Sequence, residues 1–94
     1  MVTAIVLVNV EHGHFDRIAQ SLVALKGITE VYSVAGDYDL VAVLRTGTNE
    51  QIADLVTRQI LAIEGITRTE TLMAFKVYSS YDLEHMFSIG DEEI

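Results

Sequence analysis

The chain has 94 residues, half of them hydrophobic, with 14 acidic against 6 basic side chains and neither Cys nor Pro. A chain of that length is one domain that buries only about 60 to 65% of its unfolded surface, so this apolar content points to surface that finds its cover on another chain. The absence of Cys excludes disulfides, zinc-thiolate sites and a cysteine nucleophile, and a net charge of −8 with no basic stripe interleaved with aromatics argues against direct nucleic-acid binding.

Thr3 to Val10 is apolar on both alternating faces, with Ala4, Val6, Val8 and Val10 on one and Ile5 and Leu7 on the other. Such a strand sits centrally, covered on each side. Glu11-His12-Gly13-His14 breaks the run. Phe15, Ile18, Leu22 and Leu25 then follow at helical spacing, with Asp16 in the first turn and Gly27 as the stop. Ile28 to Ala35 reads as a second strand, and Gly36-Asp37-Tyr38-Asp39 as a polar hairpin corner. Leu40 to Arg45 is again apolar on both faces. Thr48 is placed as an N-cap with Gln51 at the capping-box position, ahead of a helical stripe of Ile52, Leu55, Val56, Ile60 and Ile63. The last strand runs from about Ile66 to Tyr78, with Met73 and Phe75 expected in the core.

Leu25-Lys26-Gly27-Ile28-Thr29 recurs as Ile63-Glu64-Gly65-Ile66-Thr67, 38 residues later. Two tandem β-α-β units make an α+β, ferredoxin-like βαββαβ fold. Right-handed crossovers put both helices on one face of a four-stranded antiparallel sheet. The other sheet face is then bare, and its burial against a second copy, sheet to sheet, is the expected dimer. No run reaches the roughly 18 apolar residues of a membrane span, and Met1 to Val10 lacks the basic start and cleavage site of a signal peptide, so a cytoplasmic protein is expected. Five acids (Asp82, Glu84, Asp91, Glu92, Glu93) fall in an acidic tail over 79–94 that contains no Lys or Arg. Leu83, Met86 and Phe87 suggest a short helical turn within it.

The βαββαβ plan, the run Val34-Ala35-Gly36-Asp37-Tyr38-Asp39-Leu40-Val41, and Glu64-Gly65-Ile66-Thr67-Arg68-Thr69-Glu70-Thr71 leading into Leu72-Met73-Ala74-Phe75-Lys76 together resemble the effector-binding (RAM) domain of the Lrp/AsnC transcription regulators over about residues 1–78. The resemblance implies dimers formed through the sheets, higher oligomers such as octamers or rings, and small effectors, commonly amino acids, bound between dimers. Family regulators carry a helix-turn-helix domain ahead of this one. Here the first strand begins at residue 2 or 3, so the resemblance is to a stand-alone RAM protein, without its own DNA binding.

Carried over by position, the effector loop falls on Gly36, Asp37, Tyr38 and Asp39, and the last-strand contacts around Thr69 and Thr71. A carboxylate accepts from an ammonium group, and turn amides and Thr hydroxyls donate to a ligand carboxylate. In the bland alternative these residues form an ordinary solvated turn and ordinary strand positions. His12 and His14, with Glu11 or Asp16 nearby, fall short of the four arranged ligands of a closed metal site; His85 is similar, and neither metal nor cofactor is expected. A small cofactor-free dimeric enzyme would use a cleft between sheet and helices, but that space is expected to be filled by Phe15, Ile18, Leu22, Ile52 and Leu55. An ACT-like module or an adaptor that joins full-length Lrp/AsnC regulators are the remaining readings. The low Asn, Gln and Cys content leans toward a heat-tolerant source.

Overall fold

The computed structural model describes residues 1–80. Its elements are β1 (Val2–Val10), α1 (Phe15–Val23), β2 (Ile28–Ser33), β3 (Leu40–Thr46), α2 (Asn49–Asp54), which continues as a π-helical turn (Leu55–Ile60), and β4 (Ile66–Ala74). The strands pair antiparallel in the order β2-β3-β1-β4. This is the expected βαββαβ topology. His85, the turn expected at Leu83, Met86 and Phe87, and the acids Asp82, Glu84, Asp91, Glu92 and Glu93 lie outside the described residues. Among the described residues no helix is long and apolar enough to cross a membrane.

The two doubly apolar strands are the central pair, as the pattern demands. Ala4, Val6 and Val8 stand opposite Leu44, Ala42 and Leu40 in the ladder, and all six are sealed from solvent. Directly opposed residues share a sheet face, so these six form the floor on which Ile18 and Leu22 of α1 and Ile52, Leu55 and Ile60 of the second helix pack. Each of the larger of these side chains contributes about 1.5–3 kcal/mol by leaving water. The intervening residues Ile5, Leu7, Val41 and Val43 face the other way and stay half-buried. Leu72, opposite Ile5, is 45% exposed.

The repeat is closed by exchange between its halves. Gly27 (φ +104°) and Gly65 (φ +102°) occupy backbone conformations that favour glycine. The Gly27 carbonyl accepts from Arg45 N, and the Gly65 carbonyl from Glu11 N, both at 2.8 Å. A Cβ on Gly27 would lie 2.9 Å from Leu55 Cδ2, and one on Gly65 2.7 Å from Ile18 Cδ1. Each turn therefore rests on the helix of the opposite half.

The second helix starts at the expected capping box: Gln51 N donates to Thr48 Oγ1 (3.1 Å), and Gln51 Oε1 accepts from Thr48 N (3.2 Å) and Gly47 N (2.8 Å). α1 starts at His14 with no side-chain cap. Gly27 follows His14 by thirteen positions, whereas Gly65 follows Thr48 by seventeen. The extra turn this requires is partly π-helical, with Leu61 N donating to Val56 O, five residues back rather than four.

Three residues expected in the core lie elsewhere. Phe15, at the first position of α1, is 36% exposed, and Met73 and Phe75 are 42% and 100% exposed. Both strands flanking the corner or the end of the sheet also stop early, at Ser33 and Ala74 rather than Ala35 and Tyr78. The last rung of β4 is Ala74 opposite Thr3. β1 begins at Val2, one residue before that rung, so the residues after Phe75 have no ladder to join, and Phe75 itself lies beyond the end of β4.

Candidate functional site

The polar corner joins β2 to β3 through Val34–Asp39, and its two ends are held by main chain. Val34 N donates to Asp39 O (3.0 Å), and Asp39 N donates to Val8 O (2.9 Å). The Asp39 carboxylate reaches further: its Oδ2 accepts from Val10 N at 2.9 Å. The β1–β3 ladder ends at Val8 opposite Leu40, which leaves the Val10 amide, two residues further on the same side, without a rung, and Asp39 satisfies it. Asp39 thus fastens the corner to the end of β1.

Tyr38 is fastened to β4. Its hydroxyl donates to Glu70 Oε1 at 2.6 Å, and the Arg68 guanidinium carbon lies 5.0 Å from the centre of its ring, within the range of a cation-π contact. The hydrogen bond to Glu70, with burial second, raises the phenol pKa above its ordinary 10.0, while Arg68 pulls it down. The phenol therefore remains a donor through neutral pH. Gly36 takes φ +122° with open space where a Cβ would be. Asp37 is exposed and makes no hydrogen bond or ion pair with any described residue.

Alternation along β4 separates the remaining candidates. Thr69 and Thr71 stand opposite Val8 and Val6, on the face that carries the helices, Thr69 half-buried and Thr71 exposed. Arg68 and Glu70 stand opposite Asn9 and Leu7, on the bare face. The structure therefore brings Gly36, Asp37, Tyr38 and Asp39 together with Arg68 and Glu70, while Thr69 and Thr71 look out from the other side of the same strand. Sequence reasoning missed Arg68 and Glu70. Their two-residue spacing within Ile66–Leu72 was the available signal, since it places both on one side of the strand.

Asp39 has become a structural group, with a measurable consequence. Asp39→Ala leaves a partly buried amide without its acceptor and is expected to cost about 1–2 kcal/mol. Asp39→Asn, which keeps an acceptor oxygen, is expected to cost less. Urea denaturation of the two variants beside the parent checks the order. His12 and His14 lie exposed in the loop before α1, and among the described residues no three His, Cys, Asp or Glu side chains gather as a metal set.

Comparison with known proteins fits this geometry. Residues 3–83 match the Lrp/AsnC ligand binding domain. The HTH-type transcriptional regulator FL11 of Pyrococcus furiosus is 34% identical over 77 residues, which are 82% of this chain and 50% of FL11. The chain spans about half the length of FL11 and of its two counterparts in other Pyrococcus species that it matches. Among solved structures, TTHA0845 from Thermus thermophilus superposes with a TM-score of 0.79 at 43% identity, over 84% of this chain and 99% of that one. The transcriptional regulator NMB0573 from Neisseria meningitidis, solved as a complex with L-Met, superposes with a TM-score of 0.72 over 90% of this chain and 58% of that one. At 16% identity the last likeness is one of fold alone.

Proposed function

This chain belongs to the Lrp/AsnC ligand-binding domain family, and on that premise we propose that it is an effector-binding and assembly module whose effector is an amino acid held at the Gly36–Asp39 corner. Its curated relatives are transcriptional regulators, and members of the family bind small-molecule effectors and oligomerise. In this reading the chain works in the cytoplasm, in the regulation of amino-acid metabolism or transcription, and binds rather than turns over its ligand. The space between helices and sheet is packed with sealed side chains, which supports that last point.

The observation that carries the site is the division of labour in the corner. Tyr38 and Asp39 are held by Glu70 and Val10, so Gly36 and Asp37 are presented on a fixed frame with their own groups uncommitted. Asp37 then takes the ligand's ammonium group, and the open turn amides its carboxylate. Thr69 and Thr71 serve a molecule seated across the open edge of β4. The bare sheet face, with Ile5, Leu7, Val41 and Val43, pairs with a second copy, and higher oligomers bring corners of neighbouring pairs together. Because the chain matches only about half of FL11, co-assembly with a full-length regulator of the family is the second reading.

The test is a thermal-shift screen against the twenty amino acids with oligomer size followed by light scattering, L-Met among the first because the meningococcal neighbour was solved with it. A ligand at a hundredfold excess over Kd adds about 2.7 kcal/mol to the folded state. The expected result is a shift for one or a few amino acids that disappears in Asp37→Ala, a variant that by itself melts like the parent. No shift with any amino acid would overturn the effector reading and turn the search to a partner regulator by pulldown.

A further inference from the structure

At the end of β3 away from the corner, an open groove of about 750 Å³ lies between the Lys26–Gly27 turn and the start of the second helix, with Arg45, Glu50, Gln51 and Asp54 along it. Its volume falls in the range of small-molecule sites, about 300–1,000 Å³. The internal repeat shows why it is open. Arg17 and Gln51 hold the same position in their helices, the third after the cap residues His14 and Thr48. In the first half Arg17 leaves its helix and crosses to the opposite turn, where Nη2 donates to the Glu64 carbonyl at 3.0 Å and sits beside Gly65. In the second half Gln51 folds back into the capping box. The counterpart of the Glu64 carbonyl is that of Lys26, one residue before Gly27 in the repeated Leu/Ile-x-Gly-Ile-Thr segment. No described residue donates to it.

We propose that this groove binds a small molecule carrying a guanidinium group, which takes at the Lys26 carbonyl the seat that Arg17 takes at Glu64. The chemistry along the groove is suited to it. A guanidinium presents donors in a planar fork, and here it meets a free carbonyl together with the carboxylate of Glu50, which has no partner among the described residues, and that of Asp54, whose Oδ1 also lies 3.2 Å from Arg58 Nε. Of the two cations in the wall, Arg45 is engaged with Thr29 Oγ1 (2.7 Å) and Glu30 (4.0 Å). Lys26 has no partner among the described residues and is the group that would meet a ligand carboxylate. Free arginine carries both functions. The site stands at the opposite end of β3 from the corner and does not rest on the reading of the corner.

Isothermal titration of the full chain with arginine and with citrulline, its neutral isostere, tests the proposal. Arginine is expected to bind and citrulline not. The double variant Glu50→Gln, Asp54→Asn is expected to weaken arginine about tenfold, the loss of one charge-assisted hydrogen bond; Asp37→Ala leaves arginine binding unchanged. Absence of arginine binding, equal binding of citrulline, or an affinity indifferent to the double variant overturns it. Arginine binding abolished by Asp37→Ala alone also overturns it, and assigns arginine to the corner instead.

Discussion

Gly65→Ala is expected to be the most damaging single methyl in this chain, at about 3 kcal/mol. Two costs combine. A side chain held at φ +102° is strained by about 1–2 kcal/mol, and the new Cβ, 2.7 Å from Ile18 Cδ1, forces a sealed core residue to move at a further 1–3 kcal/mol. For a domain this small each kcal/mol lowers the melting temperature by about 4–8 °C, so a fall of roughly 15 °C should be read by calorimetry. Gly36→Ala is the control, because φ there is +122° with open space around it, and only the strain remains. Adding Ile18→Val removes the colliding Cδ1. It should recover the steric part of the Gly65→Ala loss after the cost of Ile18→Val alone is subtracted. If Gly65→Ala and Gly36→Ala melt alike, the close packing of the turn on α1 is not what sets the cost.

Ile5→Asp is expected to separate the proposed sheet-to-sheet pair while leaving the protomer folded. Ile5 stands between Val43 on β3 and Leu72 on β4, in the middle of the half-buried apolar strip. In a single chain its replacement meets water. In a pair of sheets it puts an unpaired carboxylate into the interface, which costs several kcal/mol. A penalty of about 4 kcal/mol raises the dissociation constant about a thousandfold. Sedimentation at micromolar concentration should show the parent at or above the dimer and the variant as a monomer with unchanged circular dichroism. An Ile5→Asp protein that sediments with the parent would show that assembly uses another surface.

The fold was legible because two kinds of information coincided in the sequence. Doubly apolar strands can only be central, and the Gly27 and Gly65 repeats mark the end of each crossover, so order and handedness followed. The capping box at Thr48 and Gln51 is local chemistry and was equally plain. Phe75 misled because hydrophobicity says that a side chain avoids water without saying what covers it. Pairing ends at the Thr3–Ala74 rung, so Phe75 lies past the last rung of the sheet and is fully exposed. The structural bond of Asp39 was hidden for a related reason. A turn aspartate reads the same whether or not one carboxylate oxygen is engaged, and the amide that Asp39 satisfies belongs to Val10, 29 residues earlier, beyond the end of the β1–β3 ladder. The groove at Lys26 could not be read at all, since it depends on which way two side chains at equivalent helix positions turn.

The order β2-β3-β1-β4 interleaves the two repeats, with strands of the first half outside and inside strands of the second. Neither half encloses a core of its own: β1 lies between β3 and β4, and each glycine turn closes on the other half's helix. Folding must therefore join segments distant in the chain before any burial rewards them, which slows the search and leaves no stable half-way species. A chain cut within the corner would yield two fragments that stay unstructured apart and regain the fold only when mixed.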